Sequence, residues 1–389
     1  MKKVMKNPGV QAFAASIICI ILGLLIGYIV LLFINPEGAF ESIVNVIKNF
    51  FTWSKPKTQL KQFGNTLAKT MPLLMCSLSI LFAYKVGLFN IGVAGQYVAG
   101  SCACIYAALA WGWSWLPCLL FAIVAGGVLG AIVGILKSYC NVNEVISGIM
   151  LNWISLYTAN TILSKVKEVA SPYTMYITDM NPSALLPNVG LDTLFAKNKY
   201  VTIAVPLALL IAIAVSIILN RTKLGYELKA TGSNKNAARY AGMKENRNII
   251  LTLVIAGGLA GLGAAMLYLT GYMRWECTQS SVPGMGFNGI AAAFLGGLSP
   301  IGAIFSSFFI QHITDGGQYV NTNYYCSQIS DLISSVIIYL CGFVLFIKIS
   351  MNTVIRRREE KLARLRKAAE QLAEGKEGGN YCCYSFSTR

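Results

Sequence analysis

Val10–Ile34 is a stretch of 25 residues without one charged side chain, and it is the first of a series of long apolar runs. About 20 apolar residues in helical conformation reach across the hydrocarbon core of a bilayer. Leu67–Tyr84, Val93–Trp111, Leu116–Leu136, Glu144–Leu163, Tyr200–Leu219, Ile249–Leu269 and Leu332–Ile349 follow at similar length. Two shorter pieces, Gly286–Leu298 and Ile301–Ile313, are divided by Ser299-Pro300. In lipid the backbone must satisfy its own hydrogen bonds, so such runs fold as helices. The pattern predicts an all-α polytopic membrane protein of about ten transmembrane helices, some of them broken. Only 12% of the 389 residues are charged, against roughly a quarter in soluble domains, which agrees.

Basic residues set the expected orientation, because lysine and arginine collect on the cytoplasmic side. The three lysines in Met1–Asn7 place the N-terminus inside, and Arg356-Arg-Arg358 does the same for the C-terminal end. Val10–Ile34 is too long for a signal-peptide core and has no convincing cleavage site before Asn35, so it reads as an uncleaved first span. The segment 35–66 is expected outside, although Lys48, Lys55, Lys57 and Lys61 against Glu37 and Glu41 weaken the rule there. The resulting domain plan is a cytoplasmic N-terminus (1–9), a membrane domain (10–349) and a cytoplasmic tail (350–389). Within the membrane domain, 164–199 is an external loop and 220–248 a cytoplasmic one. Loops and tails facing the cytoplasm account for much of the net charge of +16, so a nucleic-acid partner is not called for.

The polar interval Arg221–Asn248 holds seven Lys/Arg against two Glu. Within it Ser233 or Asn234 is placed to cap a helix over Lys235–Ala241, and Gly242 suits the left-handed position that ends one. Seven residues are too few for a stable helix in water. A capped helix with a small face of Ala237, Ala238 and Ala241 beside Tyr240 therefore asks for a partner, and the segment reads as a docking element.

Elsewhere the chain is marked by glycines and by breaks. Gly126, Gly130 and Gly134, and Gly257-x-x-x-Gly261, form small-residue stripes for close helix packing. Gly87-Leu-Phe-Asn-Ile-Gly92 interrupts the helical pattern between two apolar segments. Phe89-Asn90-Ile-Gly92 resembles Phe287-Asn288-Gly-Ile290, and the two sit in halves of opposite expected orientation. Such inverted repeats, with broken helices where the halves meet, line the solute pathways of transporters.

Chemistry of other kinds is scarce. There is no phosphate-binding loop, no zinc-protease or nucleophile-elbow motif, and Gly284-x-Gly286-x-x-Gly289 lacks the βαβ surroundings of a dinucleotide site. The eleven cysteines lie mostly in apolar runs and His312 is the sole histidine, so neither a metal nor a cofactor is expected. Glu144, Asp331 and Lys85 stand near span ends, Asp315 is ambiguous, and no charge falls mid-span. The polar residues at depth are amides: Asn90, Gln96, Asn152 and Asn288, with Phe89 and Phe287 beside two of them. These six suit a small neutral polar solute with a flat apolar face. They equally suit the capping of broken helices. A pathway without a motor or ion coupling, carrying an inward docking helix, points to an ATP-binding-cassette (ABC) importer permease; an ion-coupled carrier or channel is the alternative of a different class.

The motifs Gly87-Leu-Phe-Asn-Ile-Gly with Gly95-Gln96, Asn143-Glu-Val-Ile-Ser-Gly-Ile-Met-Leu-Asn152, Gly225-Tyr-Glu-Leu-Lys-Ala-Thr-Gly-Ser-Asn234 with Ala237-Ala and Tyr240-Ala-Gly242, and Gly286-Phe-Asn-Gly-Ile-Ala-Ala-Ala293 resemble the branched-chain-amino-acid/simple-sugar permease superfamily. The likeness runs over roughly residues 10–350 and is nearest to the nucleoside branch, which works with Bmp-type lipoproteins. It implies a non-enzymatic subunit in a bacterial plasma membrane. Its partners would be a second permease, an ABC ATPase and an external substrate-binding lipoprotein, and simple sugars are the alternative cargo. Gly225, Glu227, Gly232, Asn234, Ala237, Ala238, Tyr240 and Gly242 match the family's coupling loop, which seats in the ATPase. Residue 94 departs from the family, being Ala where an acidic residue is frequent, and the tail with Tyr381-Cys-Cys-Tyr384 is no family feature.

Overall fold

The computed structural model describes residues 8–320 continuously and scattered positions between 324 and 365. The expected last span at 332–349 and the charged tail therefore lie largely outside the described residues. Every regular element among the described residues is helical, and two isolated bridges, Lys167–Thr174 and Tyr173–Glu276, are the extended pairings found there.

The helices are α1 (Pro8–Ile34), α2 (Pro36–Lys48), α3 (Pro56–Lys85), α4 (Val93–Ala110), α5 (Trp115–Tyr139) and α6 (Glu144–Leu163), then α7 (Ala204–Arg221), α8 (Lys223–Ser233), α9 (Lys235–Tyr240), α10 (Glu245–Tyr268), α11 (Gly284–Leu295) and α12 (Pro300–Gly316). Six of them, α1, α3, α4, α5, α7 and α10, are long and apolar enough to cross a membrane, and α11 is a shorter apolar helix. The chain is a multi-pass membrane protein. Its axis is α3, whose apolar window is 89% buried and which packs against α10, α11 and α12; α1, at 22%, lies on the rim.

The apolar pattern starts the second span at Leu67 and interrupts it at Pro72. Instead α3 runs unbroken for 30 residues from Pro56. Proline is pre-organised for the first helical turn, which explains the start. Pro72 lies inside α3, with Gly263 of α10 packed against it, where a Cβ would lie 3.0 Å from the Pro72 carbonyl oxygen. The two glycine stripes do meet: Gly126 and Gly130 of α5 rest on the backbone of Gly257 and Leu253 in α10, and a Cβ on Gly134 would lie 2.9 Å from Ile250 Cα. At these positions the two helices meet too closely for a side chain.

The basic segment lies at one end of the bundle, where Lys137 of α5 pairs with Glu144 of α6 at 2.8 Å. At the opposite end the loops 164–203 and 269–283 fold into a cap. Trp275 is buried and donates from Nε1 to Asn160 Oδ1 at 2.9 Å, and Arg274 pairs with Glu168 at 2.8 Å. Asn198 donates to the Lys61 carbonyl and the Leu186 amide to the Leu269 carbonyl, which seats the cap on α3 and α10. Within it, burial pushes the Cys277 thiol up, keeping it protonated, while nearby Lys167 opposes.

Candidate functional site

Helix α3 ends at the basic end, and Gly87, with φ of +77°, turns the chain back into the bundle. The returning residues run along α3: the Leu88 amide donates to the Ala83 carbonyl and Asn90 Nδ2 to Ser79 Oγ at 3.2 Å. Helix α4 thus begins inside the protein, where its first amides have no partner in their own helix and no water. Side chains supply the partners. Asn152, reaching over from α6, accepts from the Gly95 amide at 2.7 Å and donates to the Ile91 carbonyl at 3.1 Å. Asn90 and Gln96 exchange hydrogen bonds at 2.8 and 3.2 Å.

A second helix also starts in the interior. The chain enters from the capped end, and the first turn of α11 lies against α4 and mid-α3: a Cβ on Gly286 would be 2.6 Å from Ala94 Cα, and one on Gly289 would be 2.8 Å from Cys76 Cβ. The far end of α11 reaches the basic end, where the Phe294 ring meets Tyr84 at 5.3 Å. So α4 climbs and α11 descends from one level, and their N-termini abut. Neither cap residue, Gly92 of α4 or Pro283 of α11, supplies a side-chain cap; α4 is served instead by Asn152 of α6. The positive end of α11 is open to a polar guest.

The six expected pathway residues therefore separate into two groups. Asn90, Gln96 and Asn152 are buried and bonded to one another or to backbone, so in this structure they cap broken helices and do not line an open path. Phe287 is 39% exposed, and Phe89 and Asn288 are half-buried. Beside Gly289 stands Ser77, whose buried hydroxyl has no hydrogen-bond partner. The first group lies where α4 begins, and Phe287 and Asn288 lie on the first turns of α11, whose Gly286 abuts Ala94 of α4.

The bundle also holds a buried ion pair that the apolar pattern does not reveal. Lys69, near the middle of α3, pairs with Asp315 of α12 at 2.9 Å, both well shielded; Gln311 donates to the same carboxylate at 3.0 Å, and Tyr272 lies under the ammonium. A span starting at Leu67 has Lys69 in its first turn, whereas the helix start at Pro56 puts it near the middle of α3. Among the described residues no three His, Cys, Asp or Glu side chains gather as a metal site.

In the basic segment α9 forms where expected. Asn234 caps it, accepting from the Ala237 amide at 3.0 Å, and Gly242 takes a φ of +78°. The expected uniform docking face is corrected. Ala238 is buried, while Ala237, Ala241 and Tyr240 face outward, Tyr240 at 93% exposure. Two further expected docking residues touch the permease by their backbones: buried Gly225 packs against Ile218 and Leu219, and Gly232, though exposed, lies against Val86. Glu227 is half-buried and 3.8 Å from Lys223. The preceding helix α8 is an addition to the sequence reading, and its Tyr226 ring is exposed.

Residues 62–342 match the family described as branched-chain amino acid transport system / permease component. The chain is similar to the nucleoside ABC transporter permease protein NupB of Lactococcus lactis, 31% identical over 89% of this chain and 94% of that one. It is 34% identical to the guanosine ABC transporter permease protein NupP of Bacillus subtilis, over 75% and 81% of the two chains. Similarity to the glucose ABC transporter permease protein TsgB13 of Haloferax volcanii is lower, 26% over 80% and 82%. No solved structure matches the chain.

Proposed function

We propose a function on one premise: the chain belongs to the family of branched-chain amino acid transport system permease components. It is the transmembrane permease subunit of an ABC importer that takes up nucleosides, and a separate subunit hydrolyses the ATP. The observation that carries this reading is the junction where α4 and α11 begin head to head at depth, with Phe287 and Asn288 on its open side. A nucleoside offers a flat base for the Phe287 ring and polar edges for the Asn288 amide and the uncapped first turn of α11. Asn90, Gln96 and Asn152 hold the junction's walls, and Phe89 precedes them on the re-entrant loop.

The cargo is read from the relatives named for nucleosides and guanosine; the relative named for glucose favours simple sugars as the second reading. The opposed directions of α4 and α11 support two inverted halves in a ten-span arrangement, with 332–349 as the last span. The basic segment 220–248 and both ends of the chain, 1–9 and 350–389, face the cytoplasm of a bacterial cell, and the cap containing 164–199 faces outward, toward a substrate-binding lipoprotein. A second permease completes the pathway. Tyr240, Ala237 and Glu227 meet the ATPase, Asn234 and Gly242 shape that helix, and Gly225, Gly232 and Ala238 seat it on the permease.

The test is reconstitution. Liposomes holding the two permeases, the ATPase and the lipoprotein are expected to concentrate guanosine only with ATP, and liposomes holding this chain alone are not. Accumulation by the lone chain down an ion gradient would replace this reading with that of a secondary carrier, and Lys69–Asp315 is where its coupling charge would lie.

A further inference from the structure

We infer that α8 carries movement of the docked basic segment into the re-entrant loop 86–92, through a backbone contact between Gly232 and Val86–Gly87. The inference rests on the reading that this segment seats in an ATPase. It differs from it in assigning the transmitting role to α8, not to the capped helix that meets the partner.

The contact is bare on both sides. A Cβ on Gly87 would lie 2.8 Å from the Gly232 carbonyl oxygen and 3.1 Å from its Cα, and a Cβ on Gly232 would overlap the Val86 carbonyl. Side chains between two elements absorb a small displacement by changing rotamer. Two backbones in contact have no such slack, so a shift of one is passed to the other.

Helix α8 is also mounted to deliver a shift there. At its start Thr222 caps it, accepting from the Gly225 amide at 3.1 Å, and Gly225 lies directly on the end of α7. Leu228 is buried at its middle. Near its end the buried Thr231 hydroxyl accepts from Asn248 Nδ2 at 2.9 Å, which ties it to the first turn of α10. The next residue is Gly232. Tyr226 and Tyr240 point away from the bundle, at 68% and 93% exposure, so one face of the segment is available to a partner while the other rests on the break after α3.

Beyond the contact the route is short. Gly87 stands three residues before Asn90, whose amide is bonded to Ser79 and Gln96, and the same loop offers the Ile91 carbonyl to Asn152. A displacement at 86–87 therefore reaches the start of α4, and with it the seam between Ala94 and Gly286. The positioning residues are Gly232, Gly87 and Thr231.

The complete complex in liposomes, with radiolabelled guanosine as the probe, tests this through the guanosine moved per ATP hydrolysed. Gly232→Ala is expected to keep the ATPase through purification and to continue hydrolysis, while the ratio falls about tenfold, a coupling of ordinary size between distant sites. Tyr240→Ala is expected to lose the ATPase instead. An unchanged ratio in Gly232→Ala overturns the inference. Should that variant not accumulate, Thr231→Val keeps the side-chain shape and removes the bond to Asn248; a lowered ratio there supports the inference and an unchanged one overturns it. If the unmodified complex holds no ATPase, the functional reading fails and not this contact.

Discussion

Asn152 serves two backbone groups of a segment distant in sequence, the Gly95 amide and the Ile91 carbonyl. Removing its amide leaves both buried and unpaired, at about 1–3 kcal/mol for each orphaned group. Asn152→Ala is expected to lower the thermal stability of the detergent-solubilised protein by several degrees, whereas Asn288→Ala leaves the unfolding midpoint near that of the parent and reduces guanosine uptake by the complex. Equal loss of stability in both would remove the distinction between wall and open side. The pair Lys69–Asp315 obeys a related rule, since breaking one side of a buried ion pair strands the other charge. Lys69→Met is expected to cost about 3–5 kcal/mol, and the double variant Lys69→Met/Asp315→Asn considerably less, as read by the same unfolding assay. In the sequence, amide and aromatic residues at the breaks are legible as special, but two roles fit them equally. Which amides face one another depends on neighbours brought from other helices, and residue type does not encode that.

At the level of elements, the seam between α5 and α10 joins two helices backbone to backbone, and it is visible in the spacing of glycines alone. Gly257 lies against the Gly126 backbone. Gly257→Leu forces the helices apart at an overpacking cost of about 1–3 kcal/mol or more, and is expected to lower the yield of monodisperse protein on size exclusion. Helix α9 is equally legible, because its cap and its left-handed stop are local chemistry. Helix α8 is not: residues 223–233 mix Lys, Gly and Thr without an apolar stripe, and α8 is held by Leu228, Thr231 and its perch on α7. The early start of α3 escapes for a similar reason. Lysines 57 and 61 make its first turns look like a loop, yet Asn198 of the cap packs there, donating to the Lys61 carbonyl.

For the molecule as a whole, orientation and assembly follow from charge and from what the bundle leaves uncovered. With a cysteine-free background, a cysteine at Lys235 is expected to react with impermeant maleimide only in inverted vesicles, and one at Met180, which is 59% exposed in the cap, only in intact cells. The reverse labelling would turn the proposed topology over. By itself the sequence determined that the chain is helical and multi-pass, where most helices run, and that one basic segment carries a capped helix. Those properties come from hydrophobic length, helix capping and charge, which act within a few turns of chain. Only the tertiary structure decided that α4 and α11 begin nose to nose, that Lys69 is buried against Asp315, and that Gly232 presses on the break after α3. Each is a contact between segments far apart in the chain, or between elements whose ends packing alone defines, so no local pattern contains it.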